Sequence, residues 1–349
     1  MSSPDIDTSL FAVCHSLPKV ELHAHLNGSL RDSTILELAR DGKEELAQRV
    51  LDGERTLDKV FQLFSLIQSL TTNSATIIQR VAKEAVEDFR HENVRYLEIR
   101  TTPRGGAQLS KEEYIKAVLK GLQEGCTHVE GEGKESARAI VANLLLSIDR
   151  RQKIEEAYDT VRLAIKYRLE GVVGIDFSGD PKCGTFALFL PALKLARDSG
   201  LKISIHFAEV LNPQESMDMI AFKPDRIGHA NCLNDEVLHA LMNAQVPLEV
   251  CPTSNVMTES VSSYENHHFR DFWLAKYPLA ICTDDKGVFK TSLSREYAIM
   301  ATVHNLNKGD LKLLSVNPLE FIFASDSTKE LLREDFQTFF SGKQWKDVY

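Results

Sequence analysis

Eight short apolar runs rich in valine and isoleucine recur along the chain and constrain its fold more than any other feature. The runs are Val20–Leu26, Arg95–Thr101, Ala139–Ile148, Gly171–Phe177, Lys202–Phe207, Arg226–Ala230, Pro247–Cys251 and Leu279–Thr283. Segments with helical spacing separate several of them, namely Lys111–Gln123, Lys153–Tyr167, Phe186–Arg197, Asp235–Ala244 and Phe269–Tyr277. Apolar strands that alternate with helices are typical of parallel sheets. Eight such units in 349 residues predict an α/β fold of the TIM-type (β/α)8 barrel class rather than an open sheet.

The first connection, from about Arg31 to Arg90, is much longer than a crossover between parallel strands requires. Within it, Leu57–Phe64 has helical spacing, and two interpretations remain open: a lid over the site and an extra packing helix. We therefore expect extra helices after strand 1.

The tail from Asn307 onward also reads as helical, and its helices would close the barrel. Its possible helix starts are Asp310, Asn317 and Ser325. Because no linker or internal repeat interrupts the chain, we expect one domain over residues 1–349.

Composition narrows the class of protein. The balance of 41 basic and 50 acidic residues gives a net charge of −9, which disfavours nucleic-acid binding. The six cysteines are scattered, as is typical of reduced thiols in a cytosolic protein, and Cys251 and Cys282 should lie in the core. Met1–Leu10 lacks a signal-peptide pattern, and no apolar run approaches membrane-spanning length. We expect a cytoplasmic protein without membrane contact, with a monomer as the default.

Two histidines two residues apart close the first apolar run. His23 and His25 share one face of the predicted strand, so both imidazoles point the same way. Residues suited to a site also lie at or just past the ends of later runs; they are Gly179, His206, Glu209, His229, Asp284 and Asp285. Active-site residues of α/β barrels lie at the C-terminal ends of strands. The joint placement on several strands therefore predicts one active site.

Four of these residues form a donor set suited to zinc, which accepts imidazole nitrogen and carboxylate oxygen. The candidate ligands are His23, His25, His206 and Asp284. A catalytic zinc keeps one position open for water, which becomes a nucleophile near neutral pH. Neither Ala139–Ile148 nor Gly171–Phe177 contains a lysine that would bridge two metals. We therefore expect one zinc ion per chain.

Three further residues have candidate catalytic roles. Glu209 lies three residues beyond His206, past the strand end, where it is free to donate and accept protons. His229 could orient the hydroxide or assist its deprotonation. Asp285 would point to a different side from Asp284 and could accept a hydrogen bond from substrate or water.

The ordered set of motifs resembles the adenosine/AMP deaminase family of zinc-dependent barrel aminohydrolases. The resemblance runs from about Leu17 to Asp285 and is carried by Leu22–Ser29, Ile175–Asp180, Ser204–Glu209, Arg226–His229 and Thr283–Asp285. It implies hydrolytic deamination at C6 of a purine. It also implies the zinc ligands, which are again His23, His25, His206 and Asp284.

The resemblance further implies roles toward the substrate. Glu209 would protonate purine N1, and His229 and Asp285 would steer the attacking hydroxide to C6. The backbone N–H of Gly179 would meet N3 of the ring, and glycine suits such a close approach. His25 and Asp285 are also expected to contact the substrate.

Asn27 departs from the family pattern in an informative way. Adenosine deaminases typically have an aspartate at this position, which contacts the ribose 5′-hydroxyl. An aspartate beside a 5′-phosphate would be repelled by roughly 4 kcal/mol, for unit charges about 4 Å apart at an effective dielectric constant near 20. Neutral Asn27 removes that penalty and offers an N–H donor.

A second departure follows strand two. There the chain has Thr101, Thr102, Pro103 and Arg104, where adenosine deaminases tend to carry Tyr-Ser-Pro-His. Two hydroxyls and a guanidinium suit a phosphate cradle, although Arg104 as a solvated loop residue remains an alternative.

Asp149, at the end of strand three, has two interpretations. It could accept hydrogen bonds from ribose hydroxyls, or it could pair with Arg150 or Arg151 in the following loop.

The changes at Asn27 and after strand two point to a purine nucleoside monophosphate as the small-molecule substrate. The chain is most similar to the adenosine-deaminase-like branch, which implies conversion of N6-methyl-AMP to IMP and methylamine in purine nucleotide metabolism. An adenosine deaminase producing inosine and ammonia remains an alternative. A non-catalytic purine-nucleotide-binding protein is a remote one, because all the metal, acid and orienting residues are present.

Overall fold

Eight parallel strands form one sheet in chain order in the computed structural model, which describes residues 4–40, 42–52, 57–71, 74–106, 108–127 and 139–346. Strands β1 to β8 are Lys19–His25, Val94–Thr101, Val141–Asp149, Val172–Ser178, Lys202–Phe207, Arg226–His229, Leu248–Val250 and Leu279–Ile281. Each predicted run overlaps one of these strands, with ends that differ by a residue or two in several cases. The sheet curls into a nearly closed barrel, so the TIM-type (β/α)8 prediction is confirmed.

Helices surround the barrel. Helices α1 to α16 are Thr8–Ser16, Asp32–Leu38, Glu44–Leu51, Leu57–Thr71, Ala75–His91, Lys111–Cys126, Ile154–Tyr167, Phe186–Asp198, Pro213–Phe222, Asp235–Ala244, Pro252–Met257, Phe269–Leu274, Leu293–His304, Lys308–Val316, Asp326–Ser341 and Lys343–Lys346. Short 3-10 turns cover Arg168–Glu170 and Asn317–Glu320. Within the described ranges, no helix is long and apolar enough to cross a membrane.

The long first connection folds into α2 to α5, as expected, although residues 41, 53–56 and 72–73 within it lie outside the described residues. On α4, the side chains of Val60, Leu63 and Ile67 are buried in the main core. This burial is what the interpretation as an extra packing helix requires.

Two predicted helix boundaries are wrong. Helix α12 ends at Leu274 rather than Tyr277, because Lys276 has a left-handed φ of 56° and turns the chain. Asp310 does not start a helix. It lies inside α14, where its carboxylate accepts from the backbone N–H of Asn307, the N-cap residue.

The remaining predictions concern the tail and the cysteines. Ser325 is the N-cap of α15, as predicted, whereas Asn317 starts only a 3-10 turn. Cys251 and Cys282 are fully buried. All six cysteines are free thiols. Residues 1–3 of the Met1–Leu10 segment lie outside the described residues.

The barrel closes between β1 and β8 through an irregular seam. The backbone N–H of Asp284 donates to the carbonyl of His23 at 2.7 Å, and that of His25 donates to the carbonyl of Asp284 at 2.9 Å. Below this bridge, the Glu21 carboxylate accepts from the backbone N–H of His23 at 2.8 Å and from that of Thr283 at 3.0 Å. The Thr283 hydroxyl donates to it as well, at 2.8 Å. A side chain thus takes the place of ladder hydrogen bonds at the seam.

The barrel interior contains a fully buried ionic network rather than a purely apolar core. Its members are Glu98, Arg100, Asp176, Arg226 and Glu249. Arg226 bonds to Glu98 and, at 2.6 Å, to Glu249. Arg100 bonds to Asp176 and to Glu249, both at 2.8 Å. Each buried charge is therefore paired with an opposite one, which burial requires.

Candidate active site

The four candidate ligands converge at the C-terminal end of the barrel. His206 Nε2 lies 3.2 Å from His23 Nε2 and 3.1 Å from His25 Nε2. Asp284 Oδ1 lies 3.6 Å from His23 Nε2 and 3.3 Å from His25 Nε2. A tetrahedral ion with bonds of about 2.0–2.1 Å separates its ligand atoms by roughly 3.4 Å. The residues therefore fit one metal ion held by three imidazoles and one carboxylate.

Buried carboxylates behind two of these imidazoles aim them at the centre. Glu249 Oε2 accepts from His23 Nδ1 at 2.6 Å, and Asp176 Oδ1 accepts from His206 Nδ1 at 3.0 Å. With Nδ1 occupied in this way, Nε2 is the nitrogen left to bind a metal. On the opposite side, the Ser254 hydroxyl donates to Asp284 Oδ2 at 2.6 Å.

The two supporting carboxylates stay ionised. Burial alone would raise the pKa of Glu249, but the charges of Arg100 and Arg226 bring it down to about 2. Burial likewise opposes ionisation of Asp176, yet His206 and Arg100 hold its pKa well below the usual range. Both groups therefore remain hydrogen-bond acceptors at neutral pH.

Sequence reasoning gave no role to Glu249, Asp176 or Ser254. For Glu249 and Asp176 the available signal was a charged residue inside a run that is otherwise apolar, since a buried charge needs a partner. Ser254 lies outside these runs and carried no such signal.

Glu209 follows β5 after Ala208, which adopts a left-handed φ of 50°. Burial raises the pKa of Glu209 to about 7, with His206 opposing the shift and Asp284 adding to it. A carboxyl group that titrates near neutral pH can both donate and accept a proton, as the predicted role requires.

His229 packs against the candidate ligands. Its ring centroid lies 4.8 Å from that of His23 and 5.1 Å from that of His206. Burial lowers the pKa of His229 to about 3, so the imidazole is neutral near pH 7. Its Nδ1 lies 3.0 Å from Asn255 Nδ2.

Asp285 is buried beside Asp284, and its Oδ1 has no hydrogen-bond partner among the described residues. Burial and the neighbouring Asp284 charge hold the pKa of Asp285 well above its usual range. A Cβ atom at Gly28 would overlap with this carboxylate, so only glycine fits there. An unpartnered buried oxygen in a catalytic cleft suits a contact with substrate or water.

Two predicted substrate contacts follow strand ends. Asn27 is half-buried after β1 and makes no hydrogen bond to any described residue. Gly179 has a left-handed φ of 103°, and a Cβ atom there would overlap with the carboxylate of Asp149. The structure thus gives this glycine an intramolecular reason, besides the predicted approach to a ligand.

The residues after β2 differ in their contacts. Thr101 is buried, and its hydroxyl bonds to Tyr114 Oη at 2.7 Å. Thr102 and Arg104 are half-buried, and Pro103 is buried. The Arg104 Nε atom is buried and lacks a partner in the described part of the chain. Because the side chain is otherwise partly exposed, both interpretations of Arg104, as a phosphate ligand and as a solvated loop residue, stay predictions.

The Asp149 carboxylate pairs with Arg151, which is one of the two interpretations that the sequence left open. Its Oδ1 accepts from Nε and from the backbone N–H of Arg151, both at 2.9 Å. Arg150 instead donates to Glu215 at 2.7 Å. The interpretation of Asp149 as a ribose contact gains no support from these bonds.

Comparisons with known proteins agree with this geometry. The adenosine deaminase family model matches residues 18–339. The N6-mAMP deaminase of Arabidopsis thaliana is 45% identical over 346 residues, which cover 93% of this chain and 97% of that protein. The N6-methyl-AMP deaminase of Bos taurus is 39% identical over 335 residues, covering 91% and 93%.

Solved structures agree as well. A crystal structure of Arabidopsis ADAL complexed with IMP superposes with a TM-score of 0.87 at 45% identity, covering 93% of this chain and 98% of that one. The family model covers most of the chain, and the relatives match it almost from end to end. This chain therefore belongs to the adenosine deaminase family and is a hydrolytic deaminase.

Proposed function

We propose that the protein is a zinc-dependent enzyme that hydrolyses N6-methyl-AMP to IMP and methylamine. One observation carries the proposal: a complete donor set and a proton-carrying glutamate share the barrel end with residues suited to a 5′-phosphate. The two relatives reported above, both named for N6-methyl-AMP, support the same substrate.

The proposed metal site is His23, His25, His206 and Asp284. Zinc, when bound there, would supply a water activated as a nucleophile near neutral pH. Glu249 and Asp176 hold the imidazoles of His23 and His206 in register for that ion.

The remaining chemistry is proton transfer and orientation. Glu209 delivers a proton to purine N1, which makes C6 electrophilic. His229 and Asp285 orient the attacking water on C6. The oxygen of water becomes the 6-oxo group, and the C6–N6 bond breaks. N1 retains the proton from Glu209; of the two protons of water, one restores the Glu209 carboxyl group and the other leaves with methylamine.

The phosphate contacts are proposed from charge and unused hydrogen-bonding capacity. Arg104 has a buried Nε without a partner in the described chain, and Asn27 is neutral with a free amide. Both, together with Thr102, would bind the 5′-phosphate. Thr101 contributes less, because its hydroxyl already bonds to Tyr114. The IMP complex of the Arabidopsis neighbour supports a nucleoside monophosphate as the ligand.

The test is a side-by-side measurement of kcat/KM for N6-methyl-AMP, AMP, N6-methyladenosine and adenosine on enzyme of known zinc content. We expect N6-methyl-AMP to be strongly preferred. Activity on adenosine equal to or above that on the monophosphates would make the protein an adenosine deaminase and remove the assigned meaning of Asn27 and Arg104.

Metal dependence is tested on the same preparation. Stripping zinc with a chelator should abolish turnover, and one equivalent per chain should restore it. Zinc binding without turnover of any of the four substrates would instead indicate a nucleotide-binding protein.

A further inference from the structure

A series of hydrogen bonds links the backbone N–H of Phe269 to Nδ1 of His229. We propose that Asn255 and His267 are positioning residues that fix His229 as the neutral tautomer with its proton on Nε2. In that form His229 donates a hydrogen bond into the site and does not act as a base there. The inference rests on the proposed hydrolytic function, and it decides between the two roles that the sequence left open for His229.

The backbone N–H of Phe269 fixes which atom donates and which accepts in each of these hydrogen bonds. The backbone N–H of Phe269 donates to Nδ1 of His267 at 3.0 Å. A backbone amide can only donate, so Nδ1 of His267 carries a lone pair. His267 is buried, with 2% of its surface exposed. Its single ring proton therefore lies on Nε2.

The next bond fixes the asparagine. His267 Nε2 lies 3.1 Å from Asn255 Oδ1 and donates to it. Because the amide oxygen faces His267, the amide Nδ2 group must face His229, and it donates to His229 Nδ1 at 3.0 Å. Asn255 is 1% exposed, so water does not compete for these bonds. The orientation of the amide thus follows from the backbone donor at Phe269.

The last bond fixes His229. Since Nδ1 accepts from Asn255, the ring proton of the neutral imidazole lies on Nε2. Nε2 has no partner among the described residues, and the ring packs beside His23 and His206. His268 Nε2 donates to the carbonyl of His229 at 2.7 Å and holds its left-handed backbone, with φ at 66°.

The consequence is chemical. An Nε2–H group can donate to the oxygen of the attacking water or to the oxygen forming on C6, but it has no lone pair to take a proton. The opposite tautomer would point an Nδ1–H at the amide N–H of Asn255, 3.0 Å away, with no acceptor between them. Proton removal from water must then fall to a group other than His229.

The first test reads the tautomer directly. In the full-length zinc enzyme labelled with ¹⁵N-histidine, long-range ¹H–¹⁵N correlations distinguish Nε2–H from Nδ1–H imidazoles. The signals of His229 are assigned by their loss in His229→Gln. We expect a protonated Nε2 and an unprotonated Nδ1. An unprotonated Nε2 overturns the proposal. The readout needs no substrate, so it stands apart from any failure of the proposed function.

The second test reverses the hydrogen bond between residue 255 and His229. In Asn255→Asp, both carboxylate oxygens accept, which draws the proton of His229 to Nδ1 and leaves a lone pair on Nε2. We expect the NMR pattern to invert and kcat to fall about 100-fold, as for the loss of one oriented donor, with KM and zinc content nearly unchanged. An unaltered kcat with the pattern inverted overturns the donor role.

Three further variants separate polarity from packing. Asn266→Asp places the same charge at an exposed neighbour of His267 whose amide bonds only to Ser262 in the described chain, and it should leave kcat unchanged. At His267 itself, glutamine can accept from Phe269 and donate to Asn255, whereas phenylalanine can do neither. His267→Gln should therefore lose much less kcat than His267→Phe. Equal losses from the two would mean that His267 acts only through packing.

Discussion

Glu209 is the residue on which the proposed proton transfer depends. Replacing it with glutamine keeps its size but removes the proton that N1 would receive. Glu209→Gln should therefore lower kcat by about 10²- to 10⁴-fold, the usual worth of a positioned acid, while zinc content stays at one per chain. Steady-state kinetics with elemental analysis checks both. Glu236→Gln, at an exposed position of helix α10, is the matched control, and a near wild-type rate for Glu209→Gln would refute its role as the acid.

Asn27 tests the phosphate site at the same scale. Asn27→Asp adds a negative charge after β1, where the proposal has the 5′-phosphate bound. We expect kcat/KM for N6-methyl-AMP to fall about 100-fold or more, because like charges at this distance repel by up to roughly 4 kcal/mol. The value for N6-methyladenosine should fall much less. Asn266→Asp should leave the ratio of the two substrates unchanged. Equal losses on both substrates in Asn27→Asp would mean that Asn27 does not face the phosphate.

At the scale of elements, the seam between β1 and β8 both closes the barrel and supports the candidate metal site. The backbone bonds across it involve His23, His25 and Asp284, which are three of the four candidate ligands. Glu21, two residues before His23 on β1, links the same strands by accepting three hydrogen bonds. Loosening the seam should therefore disturb the ligand geometry as well as the fold.

Glu21→Gln tests this coupling. An amide in place of the carboxylate presents N–H to donors that need an acceptor, either at His23 or at Thr283. We expect zinc affinity to fall about 10- to 100-fold, as for other residues that orient ligands, and Tm to fall in the zinc-loaded enzyme. Competition with a chelator measures the first and thermal unfolding the second. Weaker stability with unchanged zinc affinity would show that the seam supports only the fold.

The sequence predicted elements well where burial leaves a periodic mark. Strands of a parallel barrel are covered on both faces, so most appeared as runs that are mainly apolar. The predicted helix boundaries were wrong where a single residue decides where the helix begins or ends. The left-handed φ of Lys276 ends α12 early, and a lysine at that position does not predict this conformation. At α14, the capping box of Asn307 and Asp310 was misread because both residue types favour helix starts.

At the scale of the whole molecule, the candidate ligands were predictable and their supports were not. Histidines and acids at strand ends need only the barrel rule to come together. Glu249 on β7 meets His23 on β1, and Asp176 on β4 meets His206 on β5, only through the register of these strands. That register depends on how the barrel closes, which the pattern of apolar runs does not specify.

Buried charge also shapes how the stability of the whole molecule depends on pH. Glu296 is fully buried on α13, where it accepts from the backbone N–H of Thr253 at 3.0 Å and from the hydroxyl of Thr291. Burial raises the pKa of Glu296 from 4.5 to about 7. The stabilising contribution of the protonated form is therefore complete below pH 4.5 and is lost as the pH rises through 7.

Glu296→Gln should remove this dependence. Its amide oxygen can accept from Thr253 and its NH₂ group can donate to Thr291, so both hydrogen bonds have a replacement. Relative to wild type, the variant should gain stability with rising pH, by about 3 kcal/mol between pH 4.5 and pH 8, since each pKa unit is worth about 1.4 kcal/mol. Denaturant unfolding of both zinc-loaded proteins across this range measures the difference, and Glu236→Gln at an exposed site should show no trend. A difference that stays constant or shrinks with rising pH would show that Glu296 is ionised in the folded protein at little cost.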